Sequence, residues 1–166
     1  MDAKGGGGGE TPLYMAAEQG HADVAEVLLG SGAAVDAATA NGCMPLYDAA
    51  ENGHEAVVAV LLGGGAAVDQ AKDTGATPLF IAAQNGFDAI VGQLLAGGAA
   101  VDQVNNNQSS PLGMASMKGH AAVIELLLAA GADVAHKDKW GKSPLSKAVS
   151  NGHEGAAGLL RAAGAC

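Results

Sequence analysis

Apolar and polar positions along the chain follow a pattern that repeats every 33 residues. The prolines show this period most simply, because all five obey it: Pro12, Pro45, Pro78, Pro111 and Pro144. A leucine directly follows each proline, and a glycine stands eight residues after it. A fixed period without insertions predicts a solenoid, in which each unit buries its apolar side against its neighbours and no central core forms.

Each unit is predicted to contain two short helices. In most units the first helix begins with a hydroxyl residue and a proline, such as Thr77-Pro78, which suit the N-cap and the first helical position. Alanines at helical spacing follow, and a glycine such as Gly86 ends the helix in a left-handed conformation. The second helix carries aliphatic residues such as Leu94 and Leu95, and a polar segment leads to the next unit. The pattern predicts an all-α helical solenoid with short hairpins between units.

Two units contain residues that weaken the pattern. Met44 replaces an N-cap hydroxyl, at a cost of about 1 kcal/mol. Gly113 stands inside a helix and costs about 1 kcal/mol relative to alanine. Gln108 replaces a turn glycine, and we expect the asparagines at 105–107 to compensate because asparagine tolerates left-handed geometry. In the last unit, Lys147 is interpreted as part of the polar outer face that the end of a solenoid needs.

The repeats also predict how the chain is divided. Residues 1–9 contain five consecutive glycines and are predicted to form a flexible leader. Residues 10–166 are predicted to form a single domain. Its five repeats are placed at about residues 10–40, 41–73, 74–106, 107–139 and 140–166.

Charge and cysteine usage limit the class of partner. Residues 1–105 hold thirteen acidic and two basic residues, whereas residues 106–166 hold four acidic and six basic residues. The formal net charge of −9 disfavours binding to a phosphate backbone, so no nucleic acid partner is expected. Cys43 and Cys166 have no metal or disulfide spacing. Without a membrane-length apolar run or a signal peptide, we expect no membrane insertion and an intracellular location, cytoplasmic rather than nuclear.

Histidines that recur in phase do not predict a metal site. His21, His54, His120 and His153 share one register. Stacked helices lie roughly 8–10 Å apart, whereas zinc needs nitrogens about 2.0–2.1 Å from one ion. These histidines are therefore expected to make hydrogen bonds between repeats, and neither a metal nor a cofactor is predicted. A stack of repeats offers an open groove and no enclosed, water-excluding pocket, so the chain is not expected to be an enzyme.

The repeated motif itself resembles a known family. Thr-Pro-Leu-aromatic-x-Ala-Ala-x-x-Gly-His, followed by paired leucines and Gly-Ala-Asp/Ala-Val, is similar to the ankyrin repeat over about residues 10–164. The resemblance implies helix–turn–helix units with β-hairpin fingers, stacked into a curved slab that binds other proteins. Its concave side, built from the finger tips and the exposed face of each first helix, would be the recognition surface.

The resemblance also assigns residues to that concave side. They are Glu10, Glu18, Gln19, Asn41, Cys43, Glu51, Asn52, Asp73, Thr74, Gln84, Asn85, Asn107, Met117, Lys118, Ser150 and Asn151. The resulting groove would change from acidic at the N-terminal end to basic at the C-terminal end. Ordinary variation on a solvated surface is the alternative interpretation of these residues.

The last finger carries the chain's only tryptophan. Trp140 would occupy a solvent-facing finger tip, with Lys137, Lys139 and Lys142 close by in sequence. Tryptophan is enriched in interface hot spots, and a basic rim attracts acidic partners. Alternatively, Trp140 folds back onto the fifth repeat and covers the end of the stack.

These observations predict a non-catalytic protein–protein interaction module, a scaffold or adaptor that binds a protein or peptide on its concave face. We expect a monomer. One alternative is a regulatory or targeting segment of a larger enzyme or channel. Another is salt-sensitive self-association, in which the acidic half of one copy meets the basic half of a second.

Overall fold

The computed structural model describes residues 10–40 and 42–165, which form ten α-helices. The first helices of the five pairs are α1 (Pro12–Glu18), α3 (Pro45–Asn52), α5 (Pro78–Asn85), α7 (Pro111–Lys118) and α9 (Pro144–Ser150). The second helices are α2 (Ala22–Gly30), α4 (Glu55–Gly63), α6 (Asp88–Ala96), α8 (Ala121–Ala129) and α10 (Glu154–Ala162). The predicted all-α repeat solenoid is confirmed.

The helices stack in two rows. Each first helix packs against the second helix of its own pair and against the first helices of neighbouring pairs, from α1 to α9. The second helices form the other row, from α2 to α10. Because contacts run between adjacent pairs, the apolar interior extends along the whole stack as one band.

The N-caps explain where the first helices begin. Thr77 Oγ1 accepts a hydrogen bond from the backbone N–H of Phe80 at 3.1 Å, and Thr11, Ser110 and Ser143 make the same bond in their repeats. Met44 has no hydroxyl and makes no such bond, as expected. Proline occupies the first helical position in all five cases, where its fixed φ angle is compatible with the helix.

The leucine after the proline anchors the interior in the first four repeats, and Leu145 of the fifth is partly buried. Leu13, Leu46, Leu79 and Leu112 are almost completely buried, and alanines such as Ala82 fill the space beside them. The small alanine side chains let neighbouring first helices approach closely, while the leucines supply apolar area. Burying a leucine side chain stabilises the fold by about 1.5–3 kcal/mol.

Glycine ends the first helix where a neighbouring repeat leaves no space for a side chain. Gly53 has a φ angle of 78°, in the left-handed region. A Cβ atom on Gly53 would lie 2.9 Å from Cζ of Phe87 in the next repeat. The same position in the adjacent junctions faces a histidine ring, so both the backbone and the packing require glycine.

The predicted hairpin fingers are tight reversals of the chain at residues 72–76, 105–109 and 138–142. In each finger the first residue donates its backbone N–H to the carbonyl oxygen of the last, at 3.0–3.2 Å, and Thr39 N donates to the Cys43 carbonyl oxygen in the same way at 2.8 Å. The described residues contain no regular strand. Neighbouring fingers are joined by backbone hydrogen bonds, such as that from Asn106 N to the Thr74 carbonyl oxygen at 2.9 Å.

The finger at 105–109 differs from the expectation for its asparagines. Gln108 itself adopts the left-handed conformation, with a φ angle of 56°. Asn105 stabilises the turn in another way, because its Oδ1 accepts hydrogen bonds from the backbone N–H groups of Asn107 at 2.9 Å and Ser109 at 3.0 Å. The asparagine compensates through these bonds and not through its own left-handed geometry.

The interpretation of Lys147 as part of a polar outer face is wrong. Its side chain lies inside the stack, is only 8 % exposed and forms an ion pair with Asp138. A lysine at this register can be buried because the Asp138 carboxylate, on the finger at 138–142, neutralises it.

The predicted leader at residues 1–9, together with Asn41 and Cys166, lies outside the described residues. Among the helices that the structure does describe, none is both long and apolar enough to cross a membrane.

Candidate protein-binding cleft

A cleft of about 650 Å³ lies between the first helices of the last three repeats and the fingers at 105–109 and 138–142. We call it the concave cleft. Its lining residues are Phe80, Gln84, Asn105, Asn107, Ser109, Met114, Met117, Asp138, Trp140, Lys142, Lys147, Ser150 and Asn151.

Aromatic and thioether side chains give the cleft its apolar surface. Phe80 comes from α5, Met114 and Met117 from α7, and Trp140 from the last finger. Trp140 is 62 % exposed, so it does not fold back to cover the end of the stack. Nζ of Lys139 lies 4.5 Å from the centre of the Trp140 ring, within the range of a cation–π interaction.

An ion pair lies beneath this apolar surface. Nζ of Lys147 is 2.9 Å from Oδ2 of Asp138, and the two side chains are 8 % and 3 % exposed. The same ammonium donates a longer hydrogen bond, 3.4 Å, to Oγ of Ser109 on the neighbouring finger. The pair therefore connects α9 with two fingers.

Asp138 also organises its own finger. Its Oδ1 accepts hydrogen bonds from the backbone N–H groups of Trp140 at 3.0 Å and Lys142 at 2.9 Å. Burial opposes ionisation of Asp138, but these donors and the Lys147 ammonium together hold the pKa of its carboxyl below the usual range. The carboxylate stays charged and fixes the backbone that carries Trp140.

Gly113 provides the space for the Lys147 side chain. A Cβ atom at position 113 would lie 3.1 Å from Nζ of Lys147 and 3.3 Å from Oγ of Ser110. Both distances are shorter than most contacts of real Cβ atoms. The glycine that weakens α7 by its low helix propensity is thus explained by close packing against the next repeat.

The concave side of the first repeats has the opposite charge. Asp48 on α3 is 6 % exposed, and its Oδ2 has no hydrogen-bond partner among the described residues. Burial and the nearby Glu51 carboxylate raise the pKa of Asp48 to about 6, while Lys72 and the Tyr14 hydroxyl act to lower it. The negative charge of the Asp48 carboxylate is therefore only partly stabilised by its neighbours in the folded chain.

Lys72 is the cation of this region. Its ammonium lies 5.0 Å from the centre of the Tyr47 ring, and its pKa is raised, mainly through a hydrogen bond with Cys43. Burial also raises the pKa of the Tyr47 hydroxyl. Cys43, which was assigned to the groove surface, is buried beneath these side chains.

The structure brings seven of the predicted site residues together in the concave cleft. They are Gln84, Asn107, Met117, Trp140, Lys142, Ser150 and Asn151. The other described ones do not line it: Glu10, Glu18, Gln19, Cys43, Glu51, Asn52, Asp73, Thr74, Asn85, Lys118, Lys137 and Lys139. Asn41 lies outside the described residues.

Sequence reasoning missed the floor of the cleft. Phe80, Met114 and Lys147 line it, although they were not among the predicted site residues. A signal existed for Lys147, because the residues at its register in the two preceding repeats are Met114 and Ile81. A lysine in an apolar register, nine residues after Asp138, indicates a buried pair more readily than a solvated surface.

Three of the four in-phase histidines connect the repeats, as expected, whereas the His21 ring makes no such bond among the described residues. Nε2 of His54 donates to the Glu18 carbonyl oxygen at 2.9 Å, and His120 and His153 make equivalent bonds to the preceding repeat. No group of three or more histidine, cysteine, aspartate or glutamate side chains in the described part of the chain could hold a metal ion.

Comparison with known proteins agrees with this architecture. The family model described as "Ankyrin repeats (3 copies)" matches residues 2–73 and 79–166. No curated protein sequence matches the chain significantly. The family match covers nearly the whole chain and coincides with the stacked helix pairs and their fingers. The chain therefore belongs to the ankyrin repeat family.

Proposed function

We propose that the chain is a non-catalytic scaffold or adaptor that holds a segment of a partner protein in the concave cleft. Ankyrin repeats are generally modules of protein–protein interaction. The observation that carries the proposal is the exposed Trp140 at the edge of a cleft of about 650 Å³. Tryptophan that is exposed beside an apolar depression is typical of interface hot spots.

The rigidity of the stack supports binding of an extended segment. Asp138 fixes the finger that carries Trp140, and the backbone N–H of Lys139 donates to the Asn107 carbonyl oxygen at 3.1 Å. Lys139 Nζ also donates to the Asn107 side chain. A surface that is already ordered loses little conformational entropy on binding, so more of the contact energy remains as affinity.

The chemistry of the cleft favours binding over catalysis. A carboxylate can act as a general base only if it is free to accept a proton near neutral pH. Asp138 has a lowered pKa and is already engaged by Lys147 and two backbone N–H groups. Ankyrin repeat domains are typically non-catalytic, which agrees with this inference.

The partner class follows from the surface and the charge. We infer a protein or peptide partner and no nucleic acid, because the formal net charge is −9 and the cleft is mainly apolar. We infer a monomer that acts inside the cell, in the cytoplasm rather than the nucleus. Self-association between the acidic and basic ends, or service as a regulatory segment of a larger enzyme or channel, remain alternative outcomes of the test below.

Affinity capture with matched variants tests the proposal. The native chain, Trp140→Ala and Val27→Ala are immobilised and exposed to the same native lysate. Val27 is 69 % exposed on α2 and lies outside the cleft, so it controls for loss of an exposed apolar side chain. We expect a captured protein that Trp140→Ala loses and Val27→Ala retains. A set of proteins equally retained by both variants would contradict the proposal.

Two further measurements distinguish the alternatives. Light scattering at low and high salt reports self-association, and a salt-sensitive dimer would favour that function over partner binding. Fluorescence of Trp140 on addition of the captured protein reports contact at the cleft directly, because the chain has no other tryptophan.

A further inference from the structure

We propose that the concave cleft recognises an aspartate or glutamate side chain of its partner, carried next to an apolar side chain. This inference rests on the proposed function, and it names the chemistry that the cleft selects. Four observations carry it: the register of the buried ion pair, an unused donor on its ammonium, the space left by Gly113, and the charge of the cleft.

The ion pair of Lys147 and Asp138 stands at two positions whose equivalents one repeat length earlier are neutral residues. Thirty-three residues earlier in the chain, Met114 stands in phase with Lys147, and Asn105 stands in phase with Asp138. The stack folds with those two neutral residues there, so it does not require charge at this register. Replacing a buried ion pair by neutral residues is often neutral or stabilising. Folding alone therefore gives little reason for the pair.

The Lys147 ammonium has donor capacity to spare. It carries three N–H donors, and two described acceptors contact it: Oδ2 of Asp138 at 2.9 Å and Oγ of Ser109 at 3.4 Å. Lys147 is more than nine-tenths buried yet lines the cleft. A carboxylate that enters the cleft would accept the remaining donor as a charge-assisted hydrogen bond.

Gly113 keeps the ammonium in reach of the cleft. The residue at its register in the preceding repeat is Phe80, a large aromatic side chain. At position 113, even a Cβ atom would lie 3.1 Å from Nζ of Lys147. The glycine thus leaves space around the ammonium that the phenylalanine fills one repeat earlier.

The charge of the cleft favours an anion. Among the described residues that line it, Lys147 and Lys142 are cations and Asp138 is the only carboxylate. Asp138 is satisfied by Lys147 and by two backbone N–H groups, whereas Lys142 is exposed at the rim. An acidic group would gain from both cations, and a basic group would be repelled.

The apolar lining determines what accompanies the carboxylate. Phe80, Met114, Met117 and Trp140 lie in the same cleft as Lys147. Thioether side chains adapt to differently shaped apolar groups, and tryptophan offers a large flat surface. A segment with one acidic and one neighbouring apolar side chain would satisfy both parts of the cleft.

Selection from a displayed library of random peptides tests this inference. The peptides are fused at their C-terminal ends, so only side chains offer carboxylates. Peptides are selected on the native chain and sorted by whether Trp140→Ala abolishes binding. Each retained peptide is then synthesised with every Glu replaced by Gln and every Asp by Asn. Affinities are measured on the native chain and on the double variant Lys147→Met/Asp138→Asn. This variant carries the neutral residues that stand in phase at Met114 and Asn105, and its folding is checked by thermal unfolding.

The outcomes separate the two proposals. We expect Trp140-dependent peptides that carry an acidic residue beside an apolar one. Replacing that acidic residue by its amide should weaken binding to the native chain about tenfold, because a charge-assisted hydrogen bond is lost. The same replacement should change binding to the double variant much less. Trp140-dependent peptides without an acidic preference would overturn the carboxylate inference and leave the proposed function standing. If no selected peptide depends on Trp140, both proposals are wrong.

Discussion

Asn85 donates a hydrogen bond from Nδ2 to the Glu51 carbonyl oxygen at 2.9 Å. In the neighbouring junctions a histidine ring makes this bond to the preceding repeat, but Phe87 stands at the histidine register in repeat three. The Phe87 ring keeps the packing over Gly53, and Asn85 supplies the missing donor. In this junction Asn85 provides the hydrogen bond and Phe87 provides the packing, whereas a single histidine provides both in the neighbouring junctions.

This arrangement predicts a compensating pair of substitutions. Asn85→Ala should lower the free energy of unfolding by about 0.5–1 kcal/mol, because it removes the inter-repeat hydrogen bond. Adding Phe87→His should recover most of that loss, since histidine at this register can reach the Glu51 carbonyl oxygen. Lys118 stands in phase with Asn85 and is exposed, so Lys118→Ala is the matched control. Chemical denaturation measures all three. Equal effects of Asn85→Ala and Lys118→Ala would show that the bond is not needed.

Gly113 and Lys147 should be energetically coupled. Gly113→Ala alone should give little or no stabilisation, because the added Cβ would press on the Lys147 ammonium. In the Lys147→Met/Asp138→Asn background, the same change should stabilise the fold by about 1 kcal/mol, the helix-propensity difference between glycine and alanine. Methionine at the register of Lys147 tolerates a larger neighbour than glycine. One repeat earlier, Met114 stands at that register, and Phe80 stands at the register of Gly113.

A double-mutant cycle of thermal or chemical unfolding measures this coupling. If Gly113→Ala stabilised the native chain by the same amount as the neutral background, the glycine would have no role in accommodating Lys147.

Asp48 should make the protein more stable at mildly acidic pH than at neutral pH. Its pKa is about 6 in the folded chain against 3.8 ordinarily. The folded state therefore takes up the proton first, and stability rises as pH falls from about 7 towards 4. The gain is at most about 3 kcal/mol. Asp138 acts in the opposite direction, because its pKa is lowered and its contribution is lost as pH falls through that value.

Asp48→Asn isolates this effect. The difference in unfolding free energy between the native chain and this variant should change across pH 4–7, with the variant more stable at pH 7. Other titrating groups cancel in the difference. A pH-independent difference would mean that Asp48 is fully compensated in the folded chain.

Gln108 should be improved by glycine. It holds a φ angle of 56°, a conformation that costs a non-glycine residue about 1–2 kcal/mol. Part of that gain is offset by the greater freedom of glycine in the unfolded chain. We expect Gln108→Gly to stabilise the protein by about 0.5–1 kcal/mol in chemical denaturation. A destabilising effect would indicate that the Gln108 side chain contributes contacts worth more than the backbone strain.

The 33-residue period predicted the helix pairs, their N-caps, the terminating glycines and the stacking histidines. These features depend on local chemistry that every repeat carries, so a single register describes them all. Lys147 was wrongly interpreted as exposed because its burial depends on Asp138, a partner on the finger at 138–142. The spacing of residues within a helix does not show such a contact. Gly113 was interpreted as a weak point in α7, because the side chain that requires glycine there, Lys147, lies in the next repeat.

The candidate site was predicted in part for the same reason. Trp140 and Lys142 were identified from an unusual finger sequence, and the structure places both at one cleft. The N-terminal acidic positions stand at equivalent registers but do not line that cleft. Register alone cannot distinguish them, because the cleft forms only where the side chains of α5, α7 and α9 leave space.

Photo-crosslinking from two matched positions tests the central claim most directly. A photoreactive amino acid is placed at Met117 in the concave cleft or at Val27 on α2, and each variant is irradiated in native lysate. The account predicts a crosslinked partner from position 117 that disappears with Trp140→Ala, and no equivalent product from position 27. A partner that crosslinks from position 27 and not from position 117, or that is unaffected by Trp140→Ala, would contradict binding in the concave cleft.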